Sequence, residues 1–150
     1  SLTRQNLDPI RKKYSNLNKC SFGAYEVFRT NKKINLTILA SGSEVNLAIE
    51  TSHKLAKDKI YSKVISVPCH DIFDKQSSSY KQKILGETKF KISIEAASTD
   101  CWKKYTGTDG LTFGIETFGK SAPYKEIYKY FGLTVENISK KTKNLIKNKK

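Results

Sequence analysis

Three cysteines and two histidines are all that this 150-residue chain offers of the residues that staple a fold or ligate soft metals. Cys20, Cys69 and Cys101 are odd in number and far apart, and no CxxC pair occurs. That argues against a disulfide framework and a zinc site, and it points to a reduced, cytoplasmic setting. His53 and His70 alone supply little for histidine-rich catalysis or a metal cluster. No apolar run approaches the length that spans a bilayer, so no membrane partner is expected. The first residues, SLTRQNLDPIRKK, are polar and lack the charged-then-apolar layout of a signal peptide. Both glycine-rich phosphate signatures, G-x-x-x-x-G-K-[ST] and G-x-G-x-x-G, are missing too.

What is abundant is positive charge. Lys and Arg number 28 against 14 Asp and Glu, a net charge of +14. A basic surface attracts nucleic acid, anionic lipid or phosphorylated metabolites. Here lysine far outnumbers arginine and is spread along the whole chain, so the charge reads as a solvated surface. The densest run, SKKTKNLIKNKK, reads as the polar face of a last helix. No helix-turn-helix, RNP or zinc-finger pattern accompanies the charge, and nucleic acid is not an expected partner. With 37% hydrophobic and 28% charged residues the composition is that of a globular protein, and 150 residues suit one domain with a real core.

Strand and helix signals alternate along the chain. GAYEVFRT (Gly23 to Thr30), NLTILA (Asn35 to Ala40), SKVISV (Ser62 to Val67), KFKISIEA (Lys89 to Ala96) and LTFGI (Leu111 to Ile115) read as strands. Between the second and third, Val45, Ala48, Ile49, Ser52, Leu55 and Ala56 recur at helical spacing and form one inner face. HDIFDKQSSSYKQKIL reads as one or two short helices, and TDCWKKYTG as a capped turn closed by Gly107. SAPYKEIYKYFG combines Ser121 as a cap, Pro123 in the first turn and an apolar stripe of Tyr124, Ile127, Tyr128 and Phe131. Thr134 caps a final helix whose inner face is Val135, Ile138, Thr142, Leu145 and Ile146. Alternation of this kind implies a mainly parallel sheet covered on both faces, with ligands expected beyond the carboxyl ends of its strands.

Those ends carry the chemical candidates. In ILASGSEVNLAIE an apolar strand runs into Ser41, Gly42 and Ser43 and then a helix, the layout of many anion-binding turns. Ser41 and Glu44 also have the S-x-x-E spacing of a capping box, which satisfies the helix start with no ligand. The turn is therefore expected as a structural corner, with Ser41, Gly42 and Ser43 retained as a candidate anion site. In PCHD, Cys69 and His70 are neighbours in sequence, but adjacent residues seldom face each other as nucleophile and base must. Asp71 and Asp74 read as a solvated helix start. Glu95 ends an apolar strand, where a raised pKa or a structural hydrogen bond is expected. Trp102 and Tyr105 read as core. No autonomous catalytic constellation, metal set or cofactor cradle emerges from these residues.

Taken in order, TRQNL, GAYEVF, ILASGSEVNLAIE, SKVISVPCHDIFDKQ, ISIEAASTDCWKKYTG, FGIETFGKSAP and YFGLTVENI resemble the C-terminal third of transketolase, from about Thr3 to Lys143. The words FDKQ, W-x-KY, FG-x-SAP and FG-x-T are distinctive in this combination. Ala97 stands where the family commonly has glycine after EA, and Cys69 where serine or aspartate is usual.

The resemblance implies a three-layer α/β/α sandwich with a mixed, mostly parallel five-stranded sheet, its first strand antiparallel. It implies residues 1–20 as a linker from a preceding domain and 21–150 as the C-terminal domain. It implies a cytoplasmic transferase of the pentose phosphate pathway that moves a two-carbon ketol unit from a ketose phosphate to an aldose phosphate. Thiamine diphosphate and a divalent metal, Mg2+ or Ca2+, would bind to N-terminal domains in a homodimer, and this part would be inactive alone. The metal motif G-D-G…N and the cofactor-activating glutamate of those domains are not found. TDG at Thr108 to Gly110 lacks the first glycine, and Asn137 lies in a lysine-rich helix. One family residue carries over. The arginine of S/T-R-Q-N-L binds the sugar phosphate in the intact enzyme, and here it is Arg4, whose forked guanidinium suits phosphate oxygens. The alternative is a standalone regulatory module that uses the same fold to bind an anion or a protein.

Overall fold

The computed structural model describes residues 5–11, 14–30, 33–86 and 88–149. Five strands form one sheet: β1 (Tyr25–Arg29), β2 (Leu36–Ala40), β3 (Ser62–Ser66), β4 (Phe90–Ile94) and β5 (Leu111–Phe113). Their spatial order is β1-β3-β2-β4-β5. β2 pairs in parallel with β3 and β4, and β4 in parallel with β5. β1 runs antiparallel to β3, with a register shift between Glu26 and Phe28. The antiparallel first strand is the one the family resemblance implies.

β2 reads as an unbroken apolar run because both its faces are covered. Leu36, Ile38 and Ala40 point into a core with Val64, Ile92 and Ile94. That face packs under α1 (Glu44–Lys57) and α6 (Val135–Asn148), which contribute Val45, Ala48, Leu55, Ile138 and Ile146. Leu39 and Ile65 point the other way, toward Phe73, Ile84 and Trp102 of α2 (His70–Asp74), α3 (Ser78–Leu85) and α4 (Asp100–Thr106). The result is the three-layer α/β/α sandwich. Thr134 caps α6 as expected, its Oγ1 accepting from the Asn137 N–H at 3.3 Å. The inner faces of α1 and α6 also match the periodicity, with Ser52, Leu55, Ile138 and Thr142 all at 0% exposure.

One cap differs from the sequence expectation. The helix α5 (Tyr124–Tyr130) starts after Pro123, and Ser121 is exposed. Pro123 holds an extended conformation, and its carbonyl accepts from the N–H groups of Glu126 at 2.9 Å and Ile127 at 3.2 Å. The first turn closes on that carbonyl, so no hydroxyl at Ser121 is needed.

β2 leads through α1 to β3 on one side, and β4 leads through α4 to β5 on the other. The two chain directions diverge between the carboxyl ends of β2 and β4. A crevice opens at this switch point, where sheets of this class place their ligands.

Candidate functional site

The crevice is a cavity of about 460 Å³. Its floor is the turn Ser41–Gly42–Ser43 after β2 and the segment Glu95–Ala96–Ala97 after β4. α5 supplies Tyr128, and the N-terminal segment supplies Gln5 and Leu7.

Glu44 does not form the capping box that its spacing suggests. The helix starts at Ser43, whose side chain makes no capping bond, and the Glu44 N–H bonds the Ser41 carbonyl at 3.1 Å. The Glu44 carboxylate turns inward instead. It accepts from Ser43 Oγ at 2.7 Å and from the Tyr128 hydroxyl, and the residue is 3% exposed. A buried carboxylate demands donors, and α5 brings one that the local helix start cannot match. Gln5 Nε2 donates in turn to the Tyr128 oxygen at 3.3 Å. Burial, then the bond to Glu44, pushes the Tyr128 hydroxyl up to about 12, so it remains a donor.

Glu95 lines the same crevice as Glu44, close enough for the two carboxyls to influence each other. Burial and the neighbouring Glu44 charge push the Glu95 carboxyl up to about 7. Glu95 therefore keeps its proton until the pH nears neutrality. The raised Glu95 pKa is the one electrostatic feature here that the sequence suggests. Ser41, Gly42 and Ser43 do line the crevice, but beside two carboxyls whose charge opposes an incoming anion. The chemistry on offer is acceptance of hydrogen bonds and storage of a proton.

The other sequence candidates lie elsewhere. Arg4 lies outside the described residues. Cys69 and His70 do not form a pair: the His70 ring lies against Tyr105, and its Nε2 faces Cys101 Sγ at 3.9 Å. Asp74 accepts from the Tyr105 hydroxyl at 2.7 Å and pairs with Lys104, while Asp71 is exposed. Asn137 Nδ2 donates to the Gly132 carbonyl at 2.8 Å, and Asp109 pairs with Lys149. Trp102 and Tyr105 are core, at 0% and 7% exposure. Among the described residues no three His, Cys, Asp or Glu side chains are placed to hold a metal ion. The donor set of the crevice also does not fit a diphosphate, because carboxyls stand where amides or cations would be needed.

Sequence reasoning missed Tyr128 and Gln5. Tyr128 looks like one residue of an apolar stripe, and its signal is the hydroxyl, which needs a partner when the ring is buried. Gln5 stands in the TRQNL word, but nothing local there names Tyr128 as its partner.

Residues 23–134 match the model of the transketolase-like TK C-terminal domain. The chain belongs to that family. Transketolase of Buchnera aphidicola subsp. Acyrthosiphon pisum is 38% identical over 147 residues, which is 97% of this chain and 22% of that protein. A mutant transketolase from Pichia stipitis superposes with a TM-score of 0.84 at 34% identity, over 95% of this chain and 20% of that one. The Pichia stipitis enzyme in complex with sedoheptulose 7-phosphate gives 0.79 at 34%, over 90% and 20%. This transketolase C-terminal domain therefore spans about a fifth of the length of the relatives it matches. Among the described residues no helix is long and apolar enough to cross a membrane.

Proposed function

We propose that this chain serves as the C-terminal domain of a thiamine diphosphate-dependent transketolase. The observation that carries the reading is the alignment of 97% of the chain with a single stretch of a whole transketolase. Ketol transfer from a ketose phosphate to an aldose phosphate is then the work of the assembled enzyme. Thiamine diphosphate and its divalent metal are held by the preceding domains, in a homodimer. The poor fit of the crevice to a diphosphate supports that division of labour.

The domain's contribution is positional. Gln5 and Leu7 line the crevice, and Gln5 is tied to Tyr128. The segment that follows Arg4 is thus anchored on α5 and, through Tyr128, on Glu44. In the assembled enzyme Arg4 is the proposed contact to the phosphate of the sugar. The turn Ser41–Gly42–Ser43 serves as the corner that carries Glu44, and anion binding there is confined to conditions in which Glu95 keeps its proton.

The test compares the intact protein from its own cells with this chain expressed alone. An immunoblot band several times larger than 17.0 kDa and ketol transfer that stops when thiamine diphosphate is withdrawn support the reading. Arg4→Ala in that intact protein raises KM for a phosphorylated ketose about tenfold or more, and changes it little for an unphosphorylated one. A native band at the size of this chain, with no ketol transfer alone or with added thiamine diphosphate-binding domains, refutes it and favours a standalone module.

A further inference from the structure

α2 and α4 assemble a second cluster of reactive groups. His70 Nε2 lies 3.9 Å from Cys101 Sγ. His70 Nδ1 lies 3.3 Å from the Tyr105 oxygen, and that hydroxyl donates to Asp74 Oδ1 at 2.7 Å. Asp74 is held from the other side by Lys104.

The direction of this chain of bonds follows from counting protons. A tyrosine hydroxyl has one hydrogen, and the shorter, charge-assisted bond to Asp74 takes it. The Tyr105 oxygen is then an acceptor toward His70, so Nδ1 carries the imidazole proton. Nε2 is left as a bare lone pair facing the Cys101 thiol. The electrostatics agree with that assignment. Burial and the Lys104 charge push the His70 imidazolium below its usual range, which keeps the ring neutral. Burial opposes ionisation of Asp74, but the bonds from Lys104 and Tyr105 outweigh it and hold that carboxyl low. Burial and the bond to Asp74 push the Tyr105 hydroxyl far up, so it keeps its proton. Nucleophile, base and orienting group thus stand in line, the order in which a thiol is activated.

We propose that Cys101 is a thiol–disulfide exchange site for small disulfides, with His70 Nε2 as the base that takes the thiol proton. Sγ attacks one sulfur of the disulfide, a new S–S bond forms at Cys101, and the disulfide's own S–S bond breaks. The thiol proton passes to Nε2 and then to the departing thiolate. One disulfide and one thiol are consumed and one of each is produced, so no further oxidant is needed. Cys101 is exposed, so the attacking sulfur is accessible.

His70 matters because Cys101 does not ionise easily by itself. Burial and the Glu95 charge push its thiol up, and Asp100 adds to the effect, while a backbone hydrogen bond and Lys104 oppose it. The groups facing the pair are Asp71 and Asp74 on α2, Asp100, Lys104 and Tyr105 on α4, and Glu95 beyond β4. Cys20 and Cys69 serve as internal controls. Cys20 is exposed, but its neighbour at 3.9 Å is the Tyr25 hydroxyl, a poor base, and Cys69 is partly buried.

The experiment follows mixed-disulfide formation with oxidised glutathione on the intact protein, at each cysteine separately by peptide mass spectrometry, from about pH 5.5 to 9. Once the His70 ring is neutral, the expected Cys101 rate near pH 7 exceeds that of free thiolate alone and rises with pH by clearly less than about tenfold per unit. In His70→Gln it climbs about tenfold per pH unit and is at least about tenfold slower near pH 7. Tyr105→Phe keeps the ring in the core, removes only the orienting oxygen, and moves the profile the same way. It stands in should His70→Gln fail to fold. Equal rates and parallel pH profiles in wild type and the folded variants overturn the proposal, and so does modification of Cys20 in preference to Cys101.

Discussion

The carboxyl groups of Glu44 and Glu95 meet at the switch point of the sheet, one from the first turn of α1 and one from the end of β4, close enough for the Glu44 charge to hold the proton on Glu95. The Tyr128 hydroxyl holds the far side of the pair. This contact ties three elements together and makes the stability of the domain depend on pH near neutrality.

The sign follows from proton binding. Glu95 has an ordinary pKa of 4.5 and a folded value of about 7, so the folded state holds this proton more tightly than the unfolded chain. Below 4.5 both states hold it; between 4.5 and about 7 only the folded state does, and stability falls as pH rises. Screening of the half-buried group brings the full loss to on the order of 1–2 kcal/mol. The ordered comparison is urea unfolding of wild type and Glu95→Gln at about pH 5 and pH 8. Glu95→Gln is expected to be the more stable of the two at the higher pH and to lack this part of the decline. Parallel pH dependences in the two proteins would sink the assignment.

Tyr128→Phe keeps the ring on the apolar stripe and removes the donor to Glu44. A carboxylate in a residue 3% exposed loses one of its partners. The expected cost is about 1–2 kcal/mol, read as a lower urea midpoint with unchanged slope. A midpoint equal to wild type would show that water replaces the hydroxyl at no cost.

Two glycines separate backbone conformation from crowding. Gly42, in the turn before Glu44, has φ +50, and a Cβ there would meet nothing within 4 Å. Gly42→Ala is expected to cost about 1 kcal/mol, from the left-handed backbone alone. Gly23, before β1, has φ +78, and a Cβ there would lie 2.3 Å from the Phe73 nitrogen and 2.6 Å from the Cys69 carbonyl oxygen. Those are backbone atoms and cannot swing aside, so Gly23→Ala is expected to cost about 3 kcal/mol or more. Thermal unfolding of the two variants checks the order, and a smaller loss at Gly23 than at Gly42 would contradict it.

Inorganic phosphate tests the corner itself. At about pH 8, with Glu95 ionised beside Glu44, phosphate is expected to leave the amide signals of Gly42, Ser43 and Glu44 in place. Saturable shifts at that pH would mean that the helix start outweighs the carboxyl charge and that the turn is an anion site.

How much of this was legible beforehand depends on the distance over which each feature is encoded. Strand and helix order could be read directly, because periods of two and of about 3.6 are written in neighbouring residues. NLTILA shows a strand covered on both faces, and Thr134 shows its cap within three residues. The family words, from FDKQ to FG-x-SAP, are also local and survive in order. The same local reading failed at Ser41 and Glu44, whose capping-box spacing was right while the partners were wrong.

Those partners come from far along the chain. Tyr128 reaches Glu44 across 84 positions, and Cys101 reaches His70 across 31. Only the order β1-β3-β2-β4-β5 brings the ends of β2 and β4 side by side and sets α2 against α4. Strand order is decided by how the two apolar faces of the sheet are covered, and local periodicity does not record it. The sequence by itself determined the elements, the covered sheet and the family. The tertiary structure alone decided that a buried carboxylate would take its donor from α5, and that the imidazole beside one cysteine would serve another.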